Sequence, residues 1–223
     1  MADKLQVWQQ ATVHLGEARL NALTDDVEVR YVFDDAWPGV VAEAFNAGDW
    51  DFATNIVSLT QTDPQVLLGG WLYQYDYPSN WERTLTVSND PNLDEPYDEY
   101  ENVGTNLYAN DEQIFMRYIR NDLMDDADVS LWPTMFWRYV AVFLAYETTE
   151  RLTQSTTSAE KLDRMLTKAL RKAKSVDARN TQGRNLIRNS EWLRAQRGGY
   201  RNRNRSTNTF TVGGEIVLGE GDV

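Results

Sequence analysis

The side chains in this sequence that could perform chemistry are few and of restricted kinds. The chain contains no cysteine and a single histidine, His14. Thiolate nucleophiles, cysteine metal sites and two-histidine ligand sets are therefore excluded. His14 falls near the apolar face of a short predicted helix, and the pattern supplies no serine or cysteine partner. We therefore predict a structural histidine rather than a general base.

Acidic residues occur in doublets at 25–26, 34–35 and 125–126 and in one run at 94–99. No Asp-x-Asp-x-Asp-Gly loop surrounds them, so we interpret them as helix caps and solvated faces, with no metal or cofactor site. The glycine pairs lack the neighbours of a phosphate-binding loop and predict turns. A carboxylate pair for glycoside chemistry depends on a three-dimensional separation, and the sequence singles out no such pair. We predict a protein that is not an enzyme.

The sharpest chemical pattern is a cluster of arginines near the C-terminal end. Seven arginines fall within 22 residues, with two aromatic residues between them: Arg184, Arg188, Trp192, Arg194, Arg197, Tyr200, Arg201, Arg203 and Arg205. Guanidinium groups interleaved with aromatic rings are typical of nucleic-acid-binding segments. Arginine also binds carboxylates in a bidentate manner, so an acidic protein surface is an equal candidate, and a solvated tail is the third interpretation.

Residues 180–223 as a whole are predicted to form an extended basic arm that cannot bury a core alone and orders on a partner. Beyond the arginines, Phe210, Val212 and Ile216 belong to a β-branched, glycine-containing stretch at 209–218. We predict that this stretch adds a strand to the edge of a partner's sheet. All twelve of these arm residues are candidate contacts with a partner or a neighbouring copy.

Charge is divided along the chain. Residues 1–160 contain 8 Lys/Arg and 28 Asp/Glu, residues 161–205 contain 14 and 3, and residues 206–223 contain three acids and no base. The body should repel polyanions, whereas the basic segment should attract nucleic acid or the acidic body of a neighbouring copy. No apolar run approaches the ~20 residues of a membrane span, and the first residues lack a signal-peptide pattern, so we expect a soluble, unsecreted protein without a membrane partner.

The elements that position these residues are mostly helical. Periodic apolar residues predict a helix over 4–15 ended by Gly16, and a second from about residue 29 to 46, kinked or split near Trp37 because Pro38 lies inside it. A central helix is predicted from an N-cap at Ser130 to about residue 152. An amphipathic helix with a basic outer face is predicted from a cap at Ser158 to about residue 177.

Between the helices, short aromatic and β-branched segments predict an antiparallel meander of four or five strands at 71–77, 84–87, 97–103, 106–109 and 113–119. Residues 50–70 have weak periodicity and are predicted to be a connection. The fold class is α+β, mainly α: an antiparallel helical bundle (1–70 and 121–179), a small inserted β-subdomain (71–120) and the extended arm (180–223).

Tyrosines in the β-subdomain have two interpretations. Alternation from Trp71 to Tyr77 suits one buried face of a strand. Eleven tyrosines in an acidic setting also suit a hydrated protein interface, for which Tyr97, Tyr100 and Tyr108 are the candidates.

Several short motifs, in this order and spacing, resemble the tail tubular protein A family of tailed bacteriophages. The motifs are LGEARL (15–20), WDFAT (50–54), WLYQYDYP (71–78), MRYIR (116–120), FWRYVAVFLAYE (136–147), LTQS (152–155) and AKSVDA (173–178). The resemblance covers about residues 5–180. It implies a structural virion protein at the head–tail junction, a ring of twelve copies between the portal protein and the next tail component, with double-stranded DNA passing through.

The resemblance implies no catalysis and no cofactor. For a ring of this kind, we predict Tyr97, Tyr100 and Tyr108 as candidates for an interface on the side of the tail. The resemblance does not extend to the arm, whose docking onto the portal or a neighbouring subunit is inferred from its residues alone. The competing function is a nucleic-acid-binding module that acts through the arginine-rich arm.

Overall fold

The computed structural model describes residues 3–180 together with 211–212 and 215–216. These residues form a mixed α+β structure. The helices are α1 (Lys4–Leu15), α2 (Glu28–Asn46), α3 (Thr134–Thr153) and α4 (Thr156–Asn180). The strands are β1 (Thr54–Leu59), β2 (Gln61–Leu68), β3 (Trp71–Asp76), β4 (Trp81–Ser88), β5 (Tyr100–Val103), β6 (Asn106–Ala109), β7 (Ile114–Arg120), β8 (Thr211–Val212) and β9 (Glu215–Ile216). The chain divides into two units, residues 1–182 and 183–223.

Helix α1 begins and ends where its sequence predicts. The side chain of Asp3 accepts a hydrogen bond from the backbone N–H of Gln6 at 2.7 Å and so caps the N-terminus. Gly16 adopts a left-handed conformation with φ of 79°, which glycine takes without steric cost. The prediction of a helix over 4–15 is confirmed.

Helix α2 continues through Pro38 without a break, so the predicted split near Trp37 is wrong. Pro38 lies on the exposed side of the helix. The backbone carbonyl that loses its helical donor there can therefore accept from water. Trp37 and Val40, on the other side, are buried and keep the helix packed on the core.

Helix α3 is central, as predicted, and contacts α1, α2 and α4. The threonines in its C-terminal half are buried or half-buried and keep their hydrogen bonding because their hydroxyls donate to carbonyls one turn earlier. Thr148 donates to Leu144 at 2.7 Å and Thr153 to Thr149 at 2.9 Å. The predicted cap at Ser130 is wrong: residues 126–131 form a 3₁₀ segment, and α3 starts after Pro133.

Helix α4 begins three residues earlier than the predicted cap at Ser158 would allow. Ser155 precedes the helix, and its Oγ accepts from the N–H of Ser158 at 3.3 Å. Leu162 and Ala173 are buried toward the core, while most of the remaining surface is exposed. The predicted amphipathic character is confirmed.

The β-rich part contains two antiparallel sheets rather than one meander. In the first sheet the order is β1-β7-β4, and in the second it is β2-β3-β6-β5. Strand β7 pairs with β1 through Thr54 opposite Ile119 and with β4 through Ser88 opposite Phe115. A strand that returns from 114–120 to lie between β1 and β4 cannot be inferred from local alternation.

Residues 50–70 are not a connection, so this prediction is wrong and the β-rich part starts at Thr54 rather than residue 71. A short 3₁₀ segment at Asp51–Ala53 leads directly into β1. Strand β1 shows little alternation in burial, and β2 has irregular register against β3. The sequence periodicity of β1 is weak because that strand has no clearly buried face.

The larger core is aromatic and centres on Phe136 of α3. Its ring contacts Phe45 of α2, Trp50 and Phe52 of the 3₁₀ segment, and Trp132, with centroid distances of 4.8 to 5.2 Å. Most of these contacts are edge-on or tilted, the arrangement that aromatic quadrupoles favour. Phe136 thus connects helices from both ends of the chain with the entry to the β-rich part.

A second, smaller core lies within the β-rich part. Tyr75, Leu107, Ile114 and Met116 are fully buried there, and Tyr73 and Tyr77 pack against the cluster. The alternating aromatic residues of β3 therefore contribute a packed face, as the first of the two interpretations predicted.

Phe136→Ala should destabilise the protein by ~3–5 kcal/mol because it removes a fully enclosed ring and leaves a cavity. Chemical denaturation followed by tryptophan fluorescence measures the change. Val13→Ala, at a position that is 66% exposed, serves as the control and should change stability by less than about 0.5 kcal/mol. Equal effects at the two positions would contradict the central role of Phe136.

Candidate functional site

Most of the predicted partner contacts lie outside the described residues. This applies to Arg184, Arg188, Trp192, Arg194, Arg197, Tyr200, Arg201, Arg203, Arg205 and Phe210. Val212 and Ile216 lie in β8 and β9, which pair antiparallel with Val212 opposite Glu215 and Thr211 opposite Ile216. The stretch predicted to add one strand to a partner's sheet therefore contains two short strands that pair with each other.

The three candidate tyrosines are not equivalent. Tyr97 and Tyr100 are half-buried and pack against the smaller core. Burial raises the pKa of Tyr97 above its usual value. Tyr108 is 9% exposed. Its ring therefore offers little surface to a partner, whereas Tyr97 and Tyr100 each keep part of theirs.

The exposed side of α4 is strongly basic. Its cations are Lys161, Arg164, Lys168, Arg171, Lys172, Lys174 and Arg179. In the part of the chain that the structure describes, Arg164 pairs with Glu160 at 3.7 Å, and no other cation of this helix has a carboxylate within 4.0 Å. Most of the positive charge on this helix is therefore without an ion-pair partner among the residues that the structure describes.

Acidic side chains are concentrated on other surfaces. Helix α2 presents Glu28 and Asp35, both more than two-thirds exposed, and Arg151 of α3 reaches them at 3.8 Å. The acidic segment, which we define as residues 94–101, contains five further carboxylates at exposed or half-exposed positions. Positive and negative charge are therefore presented by different elements.

A groove of about 350 Å³ lies between α1, α3 and α4. Three apolar side chains line it, those of Met135, Val142 and Ala169. Four polar side chains complete the lining, those of Gln10, His14, Arg138 and Lys172. The combination of an apolar lining with cations suits a ligand that carries both an apolar group and a negative charge.

His14 lies in this groove, half-buried. Burial lowers its pKa below the usual value, and the positive charge of Lys161 acts in the same direction. The side-chain amide nitrogen of Gln10 lies 3.3 Å from Nε2 of His14, which suits a neutral ring with an acceptor nitrogen. His14 therefore responds to the charge of whatever occupies the groove.

A second cluster joins α4 to the β-rich part. Asp177 accepts a hydrogen bond from the backbone N–H of Asp51 at 2.9 Å, and Arg117 of β7 lies 3.5 Å from the Asp51 carboxylate. Burial raises the pKa of Asp177, and the nearby Asp51 charge adds to the rise. Lys174 lines the adjoining cleft of about 220 Å³. These contacts tie α4 to the β-rich part. Among the described residues, Oδ2 of Asp51 and Nε of Arg117 are buried without a hydrogen-bond partner.

The groove was not predicted from sequence, although Lys172 was assigned to the basic outer face and His14 to a structural role. Of its three ionisable residues, His14 lies more than a hundred positions before Arg138 and Lys172 along the chain. No spacing rule connects such residues. The sequence features that could have indicated the groove were the basic outer face of α4 and a histidine close to the apolar face of α1.

Among the described residues, no group of three His, Cys, Asp or Glu side chains is arranged to hold a metal ion. No helix in that part of the chain has both the length and the apolar character required to cross a bilayer. Comparison with known protein families and with curated proteins finds no match for this sequence.

His14→Gln should make the stability of the protein less sensitive to mild acid. A depressed histidine pKa in the folded state contributes stability that is complete above the unfolded pKa and is lost as the pH falls through the folded pKa. The wild type should therefore lose more stability than the variant between about pH 7.5 and about pH 5. Thermal melting across this range tests the difference, and parallel curves would contradict it.

Asp177→Asn should raise stability at neutral pH. The amide oxygen still accepts from Asp51, while the buried charge and its repulsion with the Asp51 carboxylate are removed. Because the folded pKa of Asp177 is raised, the wild type loses stability as the pH rises through that pKa, and the variant's advantage should shrink in acid. Asp163→Asn, at an exposed position of the same helix, is the control for urea denaturation at each pH.

Proposed function

We propose that this chain is a structural virion protein, the subunit of a head-to-tail adaptor ring that joins a phage portal to the tail and forms part of the DNA channel. The proposal rests mainly on contacts between motifs that contribute to the resemblance. Motifs 50–54, 116–120 and 173–178, far apart in sequence, come together through Asp51, Arg117 and Asp177. A shared set of contacts among these three motifs is what a common fold would require.

The charge distribution supports a ring. A ring needs a heterologous interface, in which two different surfaces of one subunit meet on neighbouring copies. The basic side of α4 and the acidic surfaces of α2 and the acidic segment supply two such surfaces. Opposite charge on them would steer the approach of subunits and fix their orientation.

The acidic body also suits a DNA conduit. Lysine and arginine side chains lining a channel would release counterions and hold phosphates, and each contact would slow the passage of DNA. Residues 1–160, with 28 acids and 8 bases, would instead repel the duplex. This arrangement favours a structural role without catalysis in the channel.

The assembly itself is testable by native mass spectrometry at moderate salt. The protein should change from a smaller species to a multi-copy ring in fixed stoichiometry when its cognate portal is added. The resemblance implies twelve copies. A protein whose mass is unaffected by the portal, but which shifts with DNA fragments, would contradict the adaptor and favour the nucleic-acid-binding module.

The role of the arm is tested by two variants of the full chain. Arg197→Glu, Arg201→Glu and Arg205→Glu together should weaken portal binding strongly. Lysine at the same three positions keeps the charge but loses the bidentate guanidinium geometry. Binding that depends on carboxylates of the portal should decrease in the lysine variant, whereas salt-dependent phosphate binding should be largely retained. Unchanged portal binding by the glutamate variant would contradict docking through the arm.

A further inference from the structure

The α1–α3–α4 groove has an unusual electrostatic character for its size. Arg138 of α3 and Lys172 of α4 line it, and neither has a carboxylate within 4.0 Å among the described residues. Lys161 of α4 acts on His14 from the same side. Helix α1 contributes Gln10 and His14 to the lining, and none of the three helices contributes an acid to it. The positive charge of the groove therefore comes from α3 and α4, while α1 contributes polar side chains.

A ligand for this groove must carry carboxylate or phosphate groups together with an apolar part, because Met135, Val142 and Ala169 line the same space. An inorganic anion would leave that apolar surface exposed to water. A short acidic peptide segment with an aromatic ring or a proline would satisfy both requirements, since its charged groups meet Arg138 and Lys172 while its apolar groups displace water.

The acidic segment of this chain has these properties. Its five carboxylates, Asp94, Glu95, Asp98, Glu99 and Glu101, flank Pro96 and the half-buried rings of Tyr97 and Tyr100. Two backbone hydrogen bonds anchor it to β4. The carbonyl of Glu95 accepts from the Ser88 hydroxyl at 2.7 Å, and the N–H of Tyr97 donates to the carbonyl of Val87 at 2.8 Å. The segment is thus held in place before any partner arrives, which lowers the entropy cost of docking.

We propose that the acidic segment of one copy docks into the α1–α3–α4 groove of the next copy. The two surfaces do not line each other within a single subunit, so the contact joins two molecules. It is heterologous, since groove and segment are different patches, and repeated head to tail it generates a closed ring or a filament. The inference rests on the proposed ring function and supplies its subunit contact.

Because His14 is the one histidine of the chain, its ring protons give a single reporter inside the groove. The experiment labels a full-length protein whose own segment is neutralised by Glu95→Gln, Asp98→Asn and Glu99→Gln. Unlabelled full-length protein carrying Arg138→Glu and Lys172→Glu is then added in excess. In this mixture one contact can form, between the labelled groove and the unlabelled acidic segment.

The His14 titration midpoint should move upward in that mixture, because nearby carboxylates favour the charged imidazole. The midpoint should be unchanged when the unlabelled protein also carries the three neutralising substitutions. An unmoved midpoint with the intact segment, or an equal movement with the neutralised one, would overturn the proposal. A shift of the His14 midpoint that a DNA duplex produces and the intact segment does not would also overturn the proposal, and it would identify phosphate as the ligand of the groove.

Self-association of the full chain gives a second measure. Arg138→Glu with Lys172→Glu should weaken association by about tenfold or more in sedimentation at low salt. Lys168→Glu with Arg171→Glu makes the same charge change on exposed positions of α4 outside the groove lining. This matched comparison pair also reduces electrostatic steering by the basic side of α4, so it should weaken association less than the groove pair does. Melting temperatures verify that both variants fold. Equal weakening by the two pairs would contradict a specific role for the groove.

The experiments distinguish failure of the proposed groove contact from failure of the proposed ring function. If the groove variant forms the portal-bound ring as well as the wild type, the adaptor function stands and the groove contact is overturned. If the portal produces no ring while the intact segment still moves the His14 titration, the contact stands and the adaptor function is contradicted.

Discussion

The packing of Phe136 is the interaction on which the described structure most depends. Its ring meets α2, the 3₁₀ segment before β1 and the turn before α3, so one side chain fixes three elements at once. Trp50 adds a hydrogen bond from its indole N–H to the carbonyl of Ala44 at 3.0 Å, which sets the direction of the chain as it leaves α2. The positions of β1 and of the end of α4 follow from that exit, because Asp51 contacts both Asp177 and Arg117.

Features that depend on packing between distant residues could not be predicted from the sequence, whereas features set by local patterns could. Helix α1 is recognisable because a capping Asp3, a regular apolar stripe and Gly16 all indicate the same boundaries. The mixed α+β class and the central position of α3 follow from equally local patterns. Strand β1 is unrecognisable because its partner β7 lies about sixty residues away and determines which of its side chains are covered. Pro38 predicted a break, yet its exposed position lets water replace the missing donor while Trp37 holds the helix on the core.

Some features of the candidate interaction surfaces could likewise be identified from the sequence, and others could not. The basic character of α4 and the acidic character of the body were visible as composition, because charge counts require no geometry. The groove was not visible in the sequence, because it forms where residue 14 approaches residues 138 and 172 when α1 and α4 pack on α3. Tyr108 shows the opposite case, in which a residue chosen for its type is covered by its own sheet. Residue type indicates what a surface can bind, whereas packing decides which residues form the surface.

Segregated charge also determines how copies of this chain can associate. In an isologous dimer the groups on the two-fold axis meet their own copies, so a basic side of α4 centred on that axis would face an identical basic side, and an acidic surface there would face acid. Like charges in contact oppose association by several kcal/mol in total at an interface, about the same order as a stable contact contributes. A heterologous arrangement places each basic surface against an acidic one and removes this penalty at every contact. Charge segregation on one subunit therefore opposes two-fold pairing centred on either charged surface and is compatible with the head-to-tail contact of the proposed ring.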